Sequence, residues 1–136
     1  MARSYEQLCP IARTLDLIGE RWTVLVLRQL SFGDTKFAQF RENLPGIPAT
    51  VLSDRLKKLE RHGLVERAVY SEHPLRAEYR LTPKGESLRP VLGAMALWGM
   101  EHCLSDKEAA LVMRALPEHI LVDLGLQAEG SRHVSP

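Results

Sequence analysis

Apolar residues recur at helical spacing from Pro10 to Ile18, where Ile11, Leu15 and Ile18 share one side and Gly19 follows. Pro10 suits the first helical position, which places Cys9 at the cap. The next segment, Glu20–Leu30, is apolar almost all round. Trp22, Val24, Leu25, Val26, Leu27 and Leu30 leave only a narrow polar stripe, the pattern of a buried central helix. Residues 31–35 read as a turn, with Asp34 or Thr35 available to cap a short helix over Lys36–Asn43 that turns Phe37 and Phe40 inward. The run Leu44-Pro45-Gly46-Ile47-Pro48 is a sharp connection. From it the spacing predicts a helix over Pro48–His62 that buries Leu52, Leu56 and Leu59 and stops at Gly63.

Two short alternating runs follow, Leu64–Tyr70 and Ala77–Thr82, joined by a six-residue loop from Ser71 to Arg76. Thr82-Pro83 then restarts a helix whose apolar side carries Leu88, Val91, Leu92, Met95 and Trp98, with Pro90 expected to bend it from within. Ser105 and Glu108 have the spacing of a capping box, so Asp106–Leu116 is read as another helix. Pro117–Leu124, closed by Gly125, reads as one more short helical turn, and residues 127–136 as a frayed tail. The fold class implied is mainly α with a small β-hairpin (α+β), in the order of a winged helix-turn-helix. Residues 9–104 would form the binding and dimerisation domain and residues 105–126 a helical extension.

In such a fold one helix fits the major groove while the hairpin reaches the flanking backbone or minor groove. A helix offered to DNA must bury one side and present short polar or cationic residues on the other. At about 100° per residue, Thr50, Ser53, Asp54, Lys57 and Arg61 lie opposite the leucine stripe of Pro48–His62. Ala49, Thr50, Ser53 and Asp54 are candidates for base edges, and Lys57 and Lys58 for phosphates. Lys58 sits toward the flank. Arg55 lies beside the buried stripe, where it either braces Glu60 or another acid or reaches a phosphate. Lys36 begins the preceding helix, where the positive end of the helix dipole adds to a phosphate contact. His73 and Arg76 in the wing are candidates for the DNA backbone, the alternative being a merely exposed loop.

Composition changes this picture little. With 136 residues, 45% hydrophobic and 26% charged, the chain is one ordinary domain's worth of sequence. The net charge of +1 conceals an asymmetry: residues 1–90 hold 15 basic against 11 acidic side chains, and residues 91–136 hold 3 against 6. Basic charge therefore concentrates where the candidate DNA contacts lie. No secretory leader and no membrane-length apolar run is visible, and two cysteines are too few for a disulfide scaffold, so a reducing cytoplasm is expected.

The ordered motifs narrow the reading further. Cys9-Pro10 is followed by Gly19-Glu20-Arg21-Trp22, then by Leu44-Pro45-Gly46-Ile47 before the candidate groove helix. Leu52, Arg55, Leu56, Leu59, Gly63, Leu64 and Val65 keep a fixed spacing, Tyr70 and Pro74 mark the wing, and Tyr79-Arg80-Leu81-Thr82-Pro83-Lys84-Gly85 leads into the next helix. In all of these, across about residues 9–100, the chain resembles the HxlR family of bacterial winged helix-turn-helix regulators. The resemblance implies a homodimer joined by its terminal helices that binds double-stranded DNA and activates or represses transcription. Residues after about 103 lie beyond it.

Two-fold symmetry predicts an inverted-repeat operator with half-sites about one helical turn apart. The dimer would use Ile11 and Leu15 from the first helix and Leu92, Met95 and Trp98 from the helix over Leu88–His102. Cys9 is the candidate redox residue, because thiols at helix N-termini favour the thiolate that oxidants attack; a small half-buried residue is the plainer reading. Some members of the family use the matching cysteine in sensing and many do not. Cys103 beside His102 has no partner pair at metal-ligand spacing, so no metal is expected, and no cofactor. Phosphate-loop, nucleophile-elbow and His-Glu-x-x-His motifs are absent, which argues against an enzyme. A small-molecule or redox signal is the candidate input, with no effector specified. The competing class is a winged-helix module that binds protein, which would need an apolar or acidic outer face on Pro48–His62.

Overall fold

The computed structural model describes residues 4–123. Its backbone divides into two compact units, one ending at Glu86 and the other beginning at Ser87. In the first unit, α1 (Pro10–Ile18), α2 (Thr23–Phe32), α3 (Phe37–Asn43) and α4 (Ala49–Arg61) precede β1 (Val65–Glu72), β2 (Leu75–Leu81) and the short α5 (Pro83–Glu86). The second contains α6 (Arg89–His102), α7 (Asp106–Ala115) and α8 (Glu118–Asp123).

The core of the first unit forms where α2, α3 and α4 pack on one another. Val26, Leu27, Phe40, Leu44, Leu52, Leu56 and Leu59 are all buried there. The largely apolar α2 is the central helix that its composition predicts, burying Thr23, Gln29 and Ser31 along with its aliphatic residues. It starts three residues later than periodicity alone suggests. Glu20, Arg21 and Trp22 form a turn instead, closed by the Thr23 amide on the Glu20 carbonyl at 3.2 Å, with Trp22 in the left-handed region at φ 79°. A bulky residue in that region is strained, and the turn brings Glu20 toward α4.

At the start of α3 neither Asp34 nor Thr35 caps the helix. Lys36 holds the cap position, and the Gln39 side-chain oxygen reaches back to accept from the amides of Thr35 and Lys36 at 2.8 and 2.9 Å. Asp34 serves another purpose: its carboxylate accepts from Gln29 of α2 and Asn43 of α3 at 3.0 and 2.9 Å, tying the two helices together. The α4 helix ends as its sequence predicts, with Gly63 just beyond it at φ 75°, a conformation that costs glycine little.

The two strands pair antiparallel, from Val65 opposite Leu81 to Glu72 opposite Leu75. They run longer than expected, so the six-residue loop shrinks to His73-Pro74, joined by a cis peptide bond. An irregularity between Val69 and Ser71 sets Tyr70 out of register. The Tyr79 amide donates to the Thr35 carbonyl at 2.8 Å, and the Tyr79 ring meets Phe40 edge-on at 6.3 Å. These contacts fix the wing beside α3. Gly85 is required after it: a Cβ there would lie 2.1 Å from the Leu64 carbonyl oxygen.

A single bent helix after Thr82 is not what forms. The chain breaks between α5 and α6, and Pro90 lies in the first turn of α6, where its missing N–H interrupts no helical bond. The capping box of α7 is present, Glu108 N donating to Ser105 Oγ at 3.1 Å and Ser105 N to Glu108 Oε1 at 2.9 Å. Within this unit Arg89 pairs with Asp123 at 3.1 Å, joining α6 to α8. Leu124, Gly125 and the tail read over 127–136 lie outside the described residues.

Candidate nucleic-acid interface

The α4 helix completes its apolar face within its own unit, since Leu52, Leu56 and Leu59 are buried against neighbouring helices and the wing. Its opposite face is left to solvent. Ala49, Thr50, Asp54, Lys57 and Arg61 are exposed and Ser53 is half-buried on the rim. The two motifs flanking this face are also open: Lys36 at the head of α3, and His73 and Arg76 at the tip of the hairpin. Because the strands extend to Glu72 and Leu75, Arg76 lies on β2 opposite Ser71 rather than in a loop. Its position is thereby set by the ladder. Lys36 lies over the Tyr70 ring, its ammonium 5.5 Å from the centroid. The out-of-register tyrosine thus touches the basic end of α3, a contact that strand alternation alone did not predict.

Two cations of α4 do not join the outer face. Lys58 is turned inward, its ammonium 2.7 Å from Glu20 Oε1, and its side chain is only 11% exposed. Arg55 donates from Nε to the Arg21 carbonyl at 2.9 Å, while Nη1 lies 2.6 Å from Asp54 and 3.8 Å from Glu20. The acid that braces Arg55 is therefore Glu20 with Asp54, not Glu60. Sequence reasoning left an internal acid and a phosphate as alternatives for Arg55 and had no means to find an acid on the α1–α2 turn. The hydrogen bond from Lys58 holds the Glu20 carboxyl below its ordinary value; burial opposes this and the charge of Arg55 reinforces it.

At the other end of α4, burial lowers the His62 pKa and the nearby cations Arg61, Lys58 and Lys84 lower it further. Cys9 occupies the cap position of α1, where its carbonyl accepts from the Arg13 amide at 2.9 Å and its thiol is half-buried. Cys103 is exposed at the end of α6. On α1, Ile11 and Leu15 are exposed; on α6, Met95 and Trp98 are exposed and Leu92 is half-buried. The Trp98 ring lies 4.8 Å from that of His102. Among the described residues, no helix is long and apolar enough to cross a membrane.

Three packed helices with a polar groove face, followed by a hairpin pinned beside them, make a winged helix-turn-helix. The family model for the HxlR-like helix-turn-helix matches residues 17–107. The chain belongs to that family. The HxlR-like relatives include the HTH-type transcriptional regulator YvaP of Bacillus subtilis, 41% identical over 96 residues that cover 70% of this chain and 89% of that protein. The HTH-type transcriptional regulator sll1512 of Synechocystis is 43% identical over 94 residues, covering 69% of this chain and 70% of its own.

Among solved structures, the reduced form of the transcriptional regulator YodB from B. subtilis superposes with a TM-score of 0.60 at 36% identity, over 71% of this chain and 96% of that one. The redox regulator HypR in its reduced form gives 0.65 at 35% identity, over 68% and 92%. This HxlR-type chain is accordingly a transcriptional regulator with a DNA-binding helix-turn-helix, not an enzyme.

Proposed function

We propose that the protein binds an inverted-repeat operator as a homodimer in the cytoplasm, each protomer placing α4 in a major groove and its wing on the adjacent backbone. The observation that carries this is the two-sidedness of α4: a fully buried leucine stripe opposite an exposed row of Thr50, Asp54, Lys57 and Arg61. Ala49, Thr50, Ser53 and Asp54 face base edges. Lys57, Lys36, His73 and Arg76 meet phosphates, which position the helix without reading sequence. Arg55 and Lys58 are assigned away from DNA because Glu20 and Asp54 hold them.

Ile11 and Leu15 of α1 and Leu92, Met95 and Trp98 of α6 supply the dimer contacts, within a binding and dimerisation region over residues 9–104. Apolar side chains of this size left in water on α1 and α6 favour burial against a second copy. Titration of the protein into a labelled duplex from upstream of its own coding sequence tests the reading. Binding should fall steeply with salt and be weakened by Lys57→Glu. A duplex bound no better than scrambled DNA would favour a protein-binding module instead.

A redox input is supported by one feature, the half-buried Cys9 at the head of α1, taken with the redox regulator HypR among the similar structures. Diamide should crosslink the wild type on a non-reducing gel and alter duplex affinity. Neither change should occur in Cys9→Ser. An unaltered wild type removes the redox role.

A further inference from the structure

Four basic residues stand on α4, and they divide into two pairs. Lys57 and Arg61 are exposed on the outer face, whereas Lys58 and Arg55 lean to one flank and end on the α1–α2 turn. The flank pair is held by more than proximity. Lys58 is 2.7 Å from one oxygen of Glu20, and Arg55 donates to the Arg21 carbonyl and to Asp54, its Nη1 lying 3.8 Å from the other oxygen of Glu20. Exposures of 11% for Lys58, 15% for Arg55 and 24% for Glu20 show that all three are largely covered. Moving Lys58 to a phosphate would leave the Glu20 carboxylate part-buried without its hydrogen-bond donor, which costs more than an exposed phosphate contact returns. The lowered pKa of Glu20 fits a carboxylate that stays charged throughout the neutral range.

We propose that Glu20 is a positioning residue that withholds Lys58 from DNA and so lowers the salt-dependent part of duplex affinity, whatever the sequence. Non-specific binding is almost entirely electrostatic, with a salt slope of about 0.9 per phosphate neutralised. Removing one cation from that count weakens binding to every duplex alike, so the ratio between operator and arbitrary sequence stays as the base contacts set it. Glu20 thus acts on affinity without approaching DNA. The inference rests on α4 being the groove helix, so its test must separate the two.

Affinity for a scrambled duplex of about three helical turns, and for one from upstream of the protein's own gene, is measured between about 50 and 200 mM KCl. Lys57→Gln reports on the groove assignment: it should reduce the salt slope by about 0.9. Lys58→Gln should leave the slope unchanged. Glu20→Gln should steepen it by about 0.9 on both duplexes and leave the ratio between them unchanged. The double variant Glu20→Gln/Lys58→Gln should recover part of the wild-type slope, which a simple loss of packing would not produce.

A slope reduced by Lys58→Gln as much as by Lys57→Gln overturns the proposal while leaving the groove assignment intact. So does an unchanged slope in Glu20→Gln. No response to Lys57→Gln removes the groove assignment and the proposal with it. Should Glu20→Gln fail to fold, the contrast between the two lysine variants still decides.

Discussion

The α4 and α6 helices are of similar length, 13 and 14 residues, yet they treat their large apolar side chains in opposite ways. Leu52, Leu56 and Leu59 of α4 are each no more than 1% exposed. On α6 only Gly93 is buried, while Val91, Met95, Leu97 and Trp98 stay open, Trp98 at 62%. One helix finishes its hydrophobic face inside its own unit and is free to present polar groups to a ligand. The other leaves its hydrophobic face unfinished. Under the function proposed above, that contrast separates a helix that reads from a helix that joins.

The comparison breaks most visibly at the core. Leu56→Ala should cost about 2–5 kcal/mol, through lost transfer energy and the cavity left in a packed site. A shifted midpoint of urea unfolding with an unchanged slope is the expected record. Next in size is Trp98→Ala, which should leave the circular dichroism of the isolated protomer unaltered but weaken self-association. A buried aromatic anchor of an interface contributes about 2 kcal/mol or more, so sedimentation should show the dimer dissociating at about thirtyfold higher concentration. If the wild type sediments as a monomer at all concentrations, the reading of α6 as a joining helix fails.

Lys57→Glu comes third. With the leucine stripe intact, stability should stay within about 0.5 kcal/mol, while duplex affinity falls about tenfold and the salt slope by about 1 or more. Comparable losses of folding stability would mean that the outer face of α4 is part of the core after all.

Much of this was legible in the sequence because strong local signals marked it. The bounds of α1 follow from Pro10 and Gly19, the end of α4 from Gly63, and the start of α7 from Ser105 with Glu108. The outer face of α4 followed from periodicity, because a complete leucine stripe leaves no choice of side. Where the reading missed, tertiary or cross-strand contacts outweighed composition. A polar segment with proline suggests a loop, but Ser71 and Glu72 find partners in Arg76 and Leu75, so the ladder extends to the turn. Pro90 looked like a kink because nothing local revealed that the chain breaks at the residues just before it.

Glu20 was hidden for the same kind of reason. A flank lysine with a long flexible stem can turn either way, and the deciding carboxylate lies 38 residues earlier in the chain. Periodicity gives the angle of a side chain about the helix axis but not the partner that claims its end. Gln39, which caps α3 from within, and Tyr70, which meets Lys36, escaped for similar reasons. Each depends on a contact made only after the chain has turned.

The smallest expected effect lies at the C-terminal end of α4, where the chain passes into the wing. His62 is disfavoured from charging by burial and by Arg61, Lys58 and Lys84, so its folded-state pKa lies below the ordinary 6.5. A base with a depressed pKa binds its proton more readily once the chain unfolds. Its contribution to stability is therefore intact above about 6.5 and declines as pH falls from there through the folded-state value. Glu20 behaves consistently at lower pH: its depressed carboxyl pKa stabilises the fold above the ordinary carboxylate value of 4.5 and ceases to as pH drops through the folded one. Urea unfolding at pH 7.5 and pH 5.5 should thus show a modest loss of stability in the wild type that is reduced in His62→Gln, with no matching change in Trp98→Ala. An equal pH response in wild type and His62→Gln would assign that loss to groups outside the end of α4, with His62 titrating alike in the folded and unfolded chain.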